Sequence, residues 1–233
     1  MGDTAATLAG DGEGLVRPDA PAGSLAQVTA TLEEDIVFGR LHPRERLIEE
    51  GLAERFGAKR HVVRQALVEL ERLGLVERIH HRGAVVREYT PEEVEQIHAV
   101  RQLLEGKAAA LIPLPVPPGA MDRLEAMQRA HADAVSRDNR RDAFRINLVF
   151  HRTLFALCGN PFLVEAIDDF AQKSHAYRSS VTIAALRRST EHHWQIVAAL
   201  KTGDREALIA LCRDHLVPAK DDYIAAYRAR YCD

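Results

Sequence analysis

Three histidines and one amide in the C-terminal half have the types and spacing of a divalent-metal site. Asn147 and His151 are four residues apart, so on a helix they share one face. His193 lies in a His-Trp-Gln-Ile stretch and His215 in Arg-Asp-His-Leu. The two are 22 residues apart across Gly203-Asp204, about the spacing that brings side chains of two antiparallel helices to one level. Imidazole suits divalent transition metals, and the interior of a helix bundle can host such a site. A lone histidine on a helix is more often a satisfied core or surface residue. The expectation of a metal, zinc or nickel foremost, rests on three of them converging.

A second constellation is basic. From Arg55 to Val68 the charged residues are Arg55, Lys59, Arg60 and Arg64, with no acid among them. Arg60 and Arg64 share the face of a helix opposite Val62, Val63, Ala66, Leu67, Leu70 and Leu73, whose spacing makes a buried stripe. Arginine at the start of such a helix can reach O6 and N7 of guanine in the major groove. Lys59 and His61 flank these readers. His80, His81, Arg82 and Gly83 form a turn that could touch phosphate or base edges, or could be an ordinary polar turn.

The elements around the arginines are a helix-turn-helix and a hairpin. Leu52, Ala53 and Phe56 give a short helix an apolar face, and Gly57 ends it. The arginine-bearing helix follows and stops at Gly74. Leu75 to Ile79 and Ala84 to Arg87 then run extended on either side of the turn. Upstream, Ser24 caps a helix striped by Leu25, Val28, Leu32, Ile36 and Val37, which ends at Gly39.

Residues 51–86 resemble the winged helix-turn-helix of the GntR family of bacterial transcription regulators. The matching residues are Pro43 and Leu47, Lys59-Arg60, Val63-Arg64-Gln65-Ala66-Leu67, and Gly74-Leu75-Val76. Arg44, Lys59 and Gln65 depart from the family's usual Gly, Ser and Glu. Lys59 gives up a favoured helix cap but adds a charge for phosphate.

At 233 residues, 46% hydrophobic and 6% aromatic, the chain has material for one large or two modest domains and favours helices over sheets. A net charge of −3 argues against a general polyanion binder, and across residues 24–90 acids and bases cancel. Any contact with DNA must come from local arrangement. Cys158, Cys212 and Cys232 are scattered without metal spacing and read as buried or idle thiols. No signal or membrane-length segment is present, so a cytoplasmic, non-membrane protein is expected.

Residues 1–23 lack any periodic apolar face and suggest a disordered tail; 24–90 make the winged domain. Thr90-Pro91-Glu92-Glu93 is a helix start and marks the boundary of a helical domain over 91–233. Helices are expected at about 91–111, 119–137, 139–158, 162–179 and 183–202, with a sixth from Asp204 that bends near Pro218. The fold class is therefore mainly α, a winged helix-turn-helix followed by an all-α antiparallel bundle.

Over about residues 92–220 that bundle resembles the FCD-type ligand-binding domain of FadR-like GntR regulators, and its expected six helices look like the VanR-type subgroup. The carrying residues are Asn147-x-x-x-His151, His193 ahead of Ile196 and Ala199-Leu200, Gly203-Asp204, and His215. His192 adjoins His193, but the register to Ile196 favours His193. The resemblance implies that Arg101, four residues before Glu105, pairs with the carboxylate of a small effector, with His175 and Tyr177 lining the same cavity. Asn147 stands where the family pattern has Asp. The neutral ligand set would then hold metal more weakly and lean on an anionic effector.

Together these residues predict a ligand-responsive regulator, a repressor by analogy, that binds palindromic operator DNA as a homodimer. The alternative is a metal-dependent hydrolase or other enzyme using the three histidines. No acid is placed beside them as a defensible general base, although Glu191, Asp168 and Asp214 stay open, and no Gly-x-Ser-x-Gly turn exists.

Overall fold

The computed structural model describes residues 20–79, 83–177 and 183–231. By mutual packing they fall into two units, one of residues 20–97, 171–177 and 223–231, the other of residues 98–170 and 183–222.

In the first unit, α1 (Leu25–Val37) starts at Ser24, whose side chain accepts from the Gln27 amide. β1 (Arg46–Leu47) leads into α2 (Glu49–Phe56), which ends at Gly57 in a left-handed conformation. α3 (Arg60–Arg72) follows, with Lys59 at its N-cap position making no side-chain cap bond. β2 (Val76–Ile79) and β3 (Gly83–Val86) form the hairpin, and β1 pairs antiparallel with the other side of β3, giving the order β1-β3-β2. β1 has only two residues, and two residues carry too little alternation to announce a strand. The core joins Val28, Leu32 and Ile36 of α1 to Val63, Ala66, Leu67 and Leu70 of α3 and to Val76, Ala84 and Val86 of the hairpin.

Gly83 has φ +88°, and a Cβ there would stand 2.2 Å from the Leu47 carbonyl oxygen. Only glycine lets β1 come this close. Gly83 thus has a packing reason to be glycine, independent of any role at DNA.

The helical region opens with α4 (Pro91–Leu111). Its start is a reciprocal capping box: the Glu93 amide donates to Thr90 Oγ1 at 3.2 Å, and the Thr90 amide donates to Glu93 Oε2 at 2.9 Å. α5 (Pro118–Ser136), α6 (Arg140–Ala156), α7 (Pro161–Lys173), α8 (Ile183–Thr202), α9 (Arg205–Asp214) and α10 (Val217–Tyr231) complete it. The core of the second unit includes Leu124 and Met127 of α5, Phe150 and Leu154 of α6, Ile196 and Leu200 of α8, and Leu208 and Cys212 of α9.

Two differences from the sequence expectation matter. The expected sixth helix is broken at His215-Leu216 into α9 and α10, which places Pro218 in a first turn, where its missing N–H costs nothing. The helix expected to reach residue 179 ends at Lys173 and passes into a 3-10 turn, Ser174–Tyr177. That turn and the end of α10 pack within the winged unit: Tyr223 donates to the Tyr89 carbonyl at 2.7 Å, and Tyr231 and Arg230 both reach Glu88 at 3.2 Å.

Candidate functional site

In the winged unit, Lys59, Arg60, His61 and Arg64 are all exposed, on the first turns of α3. Val63, Ala66, Leu67 and Leu70 turn inward and so fix which way the arginines face. Neither arginine is unaccompanied. Arg64 is held in a two-point ion pair by Glu49 on α2, Nε to Oε1 at 3.1 Å and Nη2 to Oε2 at 2.9 Å. Arg60 makes one contact, through Nη2, with Glu50. Sequence reading placed the arginines but not their acids, because helix periodicity on α3 says nothing about what α2 presents. His80, His81 and Arg82 lie outside the described residues, as does Cys232.

In the helical unit the three histidines come together. His151 is on α6, His193 on α8, and His215 caps the C-terminus of α9. The two-residue link Gly203-Asp204, with the Asp204 side chain accepting from the Ala207 amide at 2.9 Å, folds α9 back on α8. Ring centroids are 4.8 Å apart for His151 and His193, 4.6 Å for His151 and His215, and 6.5 Å for His193 and His215. Nε2 of His151 lies 3.1 Å from Nε2 of His193. His193 is buried, whereas its neighbour His192 is not.

The hydrogen-bond network decides where two of the ring protons sit. The Gln128 amide nitrogen donates to the Thr190 carbonyl at 2.9 Å, and a carbonyl can only accept. Gln128 Oε1 must therefore be the atom that faces His193 Nδ1, at 3.2 Å, so that nitrogen carries the proton. The Nε2 lone pair of His193 is thereby turned toward His151. His215 Nδ1 donates to the Cys212 carbonyl at 2.8 Å, which likewise leaves a lone pair on its Nε2. That nitrogen lies 3.6 Å from Glu105 Oε2. Two lone-pair nitrogens thus belong to rings that pack against His151, and the Ser189 hydroxyl also faces His193 Nε2, at 3.3 Å.

Gln128 escaped the sequence reading, as did His131, whose Nδ1 lies 3.2 Å from Thr190 Oγ1. The available signal was two polar residues falling on the buried stripe of α5 beside Leu124 and Met127.

Asn147 is buried one helical turn before His151, and its Nδ2 finds no hydrogen-bond acceptor among the described residues. Turned about its amide, the same group presents an oxygen. Arg101 and Glu105 are both buried, and both Nε (2.9 Å) and Nη2 (2.7 Å) of Arg101 bond one oxygen of Glu105. The pair expected to receive an effector is therefore already an internal ion pair, with its acid turned to His215. Among the described residues no group of three His, Cys, Asp or Glu side chains is laid out as a metal cage. The histidines converge but hold one another.

His175 requires a correction. It belongs to the winged unit, where Nδ1 lies 3.3 Å from Glu33 Oε1 of α1, because the helix that was to carry it ends early and its 3-10 turn packs on α1. Tyr177 lies in the same turn, its ring edge-on to Tyr89.

The FCD domain family matches residues 96–217, and the family of bacterial regulatory proteins, gntR family, matches residues 25–86. The chain belongs to the GntR family, in its FCD-domain branch. It is 25% identical over 209 residues to the HTH-type transcriptional regulator McbR of Escherichia coli K12, covering 88% of this chain and 93% of that one. It is 23% identical over 192 residues to the HTH-type transcriptional repressor RspR of the same organism, covering 82% and 84%. The solved structure of E. coli McbR/YncC superposes with a TM-score of 0.71 at 25% identity, over 89% of this chain and 98% of that chain. These relatives are transcription regulators, and the hydrolase alternative has no counterpart among them. No helix among the described residues is long and apolar enough to cross a membrane.

Proposed function

We propose that this GntR regulator binds palindromic operator DNA in the cytoplasm as a homodimer and acts as a repressor whose affinity a small carboxylate effector controls. The reading places α3 in the major groove, with Arg60 and Arg64 at base edges and Lys59 and His61 at phosphates, where the positive end of the helix also attracts anions. Arg82 and Gly83 would support from the hairpin turn.

For the effector unit we propose a divalent transition metal, zinc or nickel, held by His151, His193 and His215 with Asn147 as a fourth donor. The observation that carries this is the fixed tautomers of His193 and His215, which turn lone pairs toward one space. Two nitrogens bound to one ion at about 2.1 Å lie about 3.0 Å apart at a right angle and about 3.4 Å apart in a tetrahedron, and the His151 and His193 Nε2 atoms, 3.1 Å apart, fall within that range. When bound, the ion would supply a Lewis-acid centre for an anionic oxygen. Arg101 brings a positive charge that Glu105 neutralises, and the Cys212 carbonyl orients His215. Imidazoles and an amide leave a doubly charged ion undercompensated, which favours an anionic effector.

The test has two arms. Mobility shift on the chain's own promoter DNA should disappear in Arg64→Ala, and persistence of a sequence-specific shift would refute α3 as the reader. A thermal-shift screen of small carboxylates should give larger shifts with zinc or nickel present than after chelation. Equal shifts in both conditions would refute the metal-assisted site.

A further inference from the structure

We propose that Glu49 is a specificity-determining positioning residue for DNA recognition, gripping one edge of Arg64 so that the opposite edge is presented to a base pair. The proposal rests on reading Arg64 as a base reader. A guanidinium has five N–H donors in a planar fork. Glu49 takes two of them, from Nε and Nη2, with matched oxygens at 3.1 and 2.9 Å. Glu49 leaves the edge formed by Nη1 and the second Nη2 hydrogen to another partner. Guanine O6 and N7 need one such edge. One arginine can therefore hold Glu49 and a guanine at once.

The neighbouring pair shows the contrast. Arg60 meets Glu50 through a single nitrogen, and both side chains are largely exposed, at 66% and 74%. Glu49 is only 26% exposed and stands in the first turn of α2, so its carboxylate is a fixed post. The hydrogen bond from Arg64 holds the Glu49 carboxyl below the usual carboxylate range, so it is ionised throughout the neutral range. An arginine already ordered gives up less side-chain freedom when DNA docks. The same carboxylate repels phosphate, so it weakens binding to DNA of any sequence. Glu49 should thus move specific and nonspecific binding in opposite directions.

The experiment uses the full chain. A duplex preferred by the unmodified protein is selected from a randomised double-stranded library, and affinities are measured for it and for a scrambled duplex. In Glu49→Gln the scrambled duplex should bind more tightly, and the ratio of specific to scrambled affinity should fall by about tenfold, part of the value of one bidentate base contact. Glu49→Asp keeps the charge but shortens the reach, so it should lose the ratio without gaining scrambled-DNA affinity. In an Arg64→Ala background, Glu49→Gln should leave the ratio unaltered. An unchanged ratio in Glu49→Gln, with both affinities rising together, would reduce Glu49 to an electrostatic brake and overturn the proposal. So would an intact ratio in Glu49→Asp, or an equal fall in the Arg64→Ala background. If Arg64→Ala alone spares the ratio, base reading by Arg64 is what has failed.

Discussion

Replacing Gln128 by leucine would test how the histidine cluster is held. The side chain is fully buried and joins His193 Nδ1, at 3.2 Å, to the Thr190 carbonyl, at 2.9 Å. Leucine has a similar volume but no acceptor. The buried Nδ1–H of His193 would lose its partner, a cost of about 1–3 kcal/mol. The Thr190 carbonyl belongs to α8 and keeps its place in the helix ladder, so its loss is smaller. Leucine's favourable burial offsets part of the cost, leaving about 1–2 kcal/mol, or a Tm fall of about 2–8 °C in a chain of this size. The ring would also lose the bond that fixes its tautomer, and zinc affinity measured by chelator competition should fall about 10–100-fold. Long-range 1H–15N spectra of the metal-free protein should show the His193 proton on Nδ1 in the unmodified chain and on either nitrogen in the variant. A variant that binds zinc with unaltered affinity would refute the reasoning. So would an unmodified protein whose His193 proton sits on Nε2.

Other substitutions probe the same architecture. Asn147→Asp adds one negative charge to an undercompensated site and should tighten zinc or nickel binding by about tenfold; chelator competition would show it, and weaker binding would remove Asn147 from the ligand set. Gly83→Ala puts a Cβ against the Leu47 carbonyl at a positive φ and should destabilise the winged unit by about 2–3 kcal/mol. Urea denaturation followed by circular dichroism would measure it, and an unchanged midpoint would count against the β1 contact. Burial, aided by the charge of Glu105, pushes the Cys212 thiol far above its usual range. Cys212 should resist thiol reagents at pH 8 until the chain is unfolded, and rapid native labelling detected by mass spectrometry would contradict that burial.

Much of this protein was legible in its sequence because local rules governed it. The apolar stripe of α3 and the Thr90-Pro91-Glu92-Glu93 start depend on residues within a turn or two of one another. So does the Gly203-Asp204 link that folds α9 onto α8. Spacing along the chain put His193 and His215 at one level of two antiparallel helices, whereas their meeting with His151 depends on how α6 packs against them. Gly83 was legible as a turn residue, but its contact with Leu47 was not.

What the tertiary structure alone decided are pairings between helices that periodicity cannot register. Glu49 meets Arg64 only because α2 crosses α3 at that level. Gln128 sets the His193 tautomer only because α5 packs on α8, and His175 turned to Glu33 when its helix ended early. Sequence determines which face of a helix is apolar, since that depends on side-chain spacing along one element. Which polar atom on that face meets which partner depends on how two elements are packed, to within the length of a hydrogen bond.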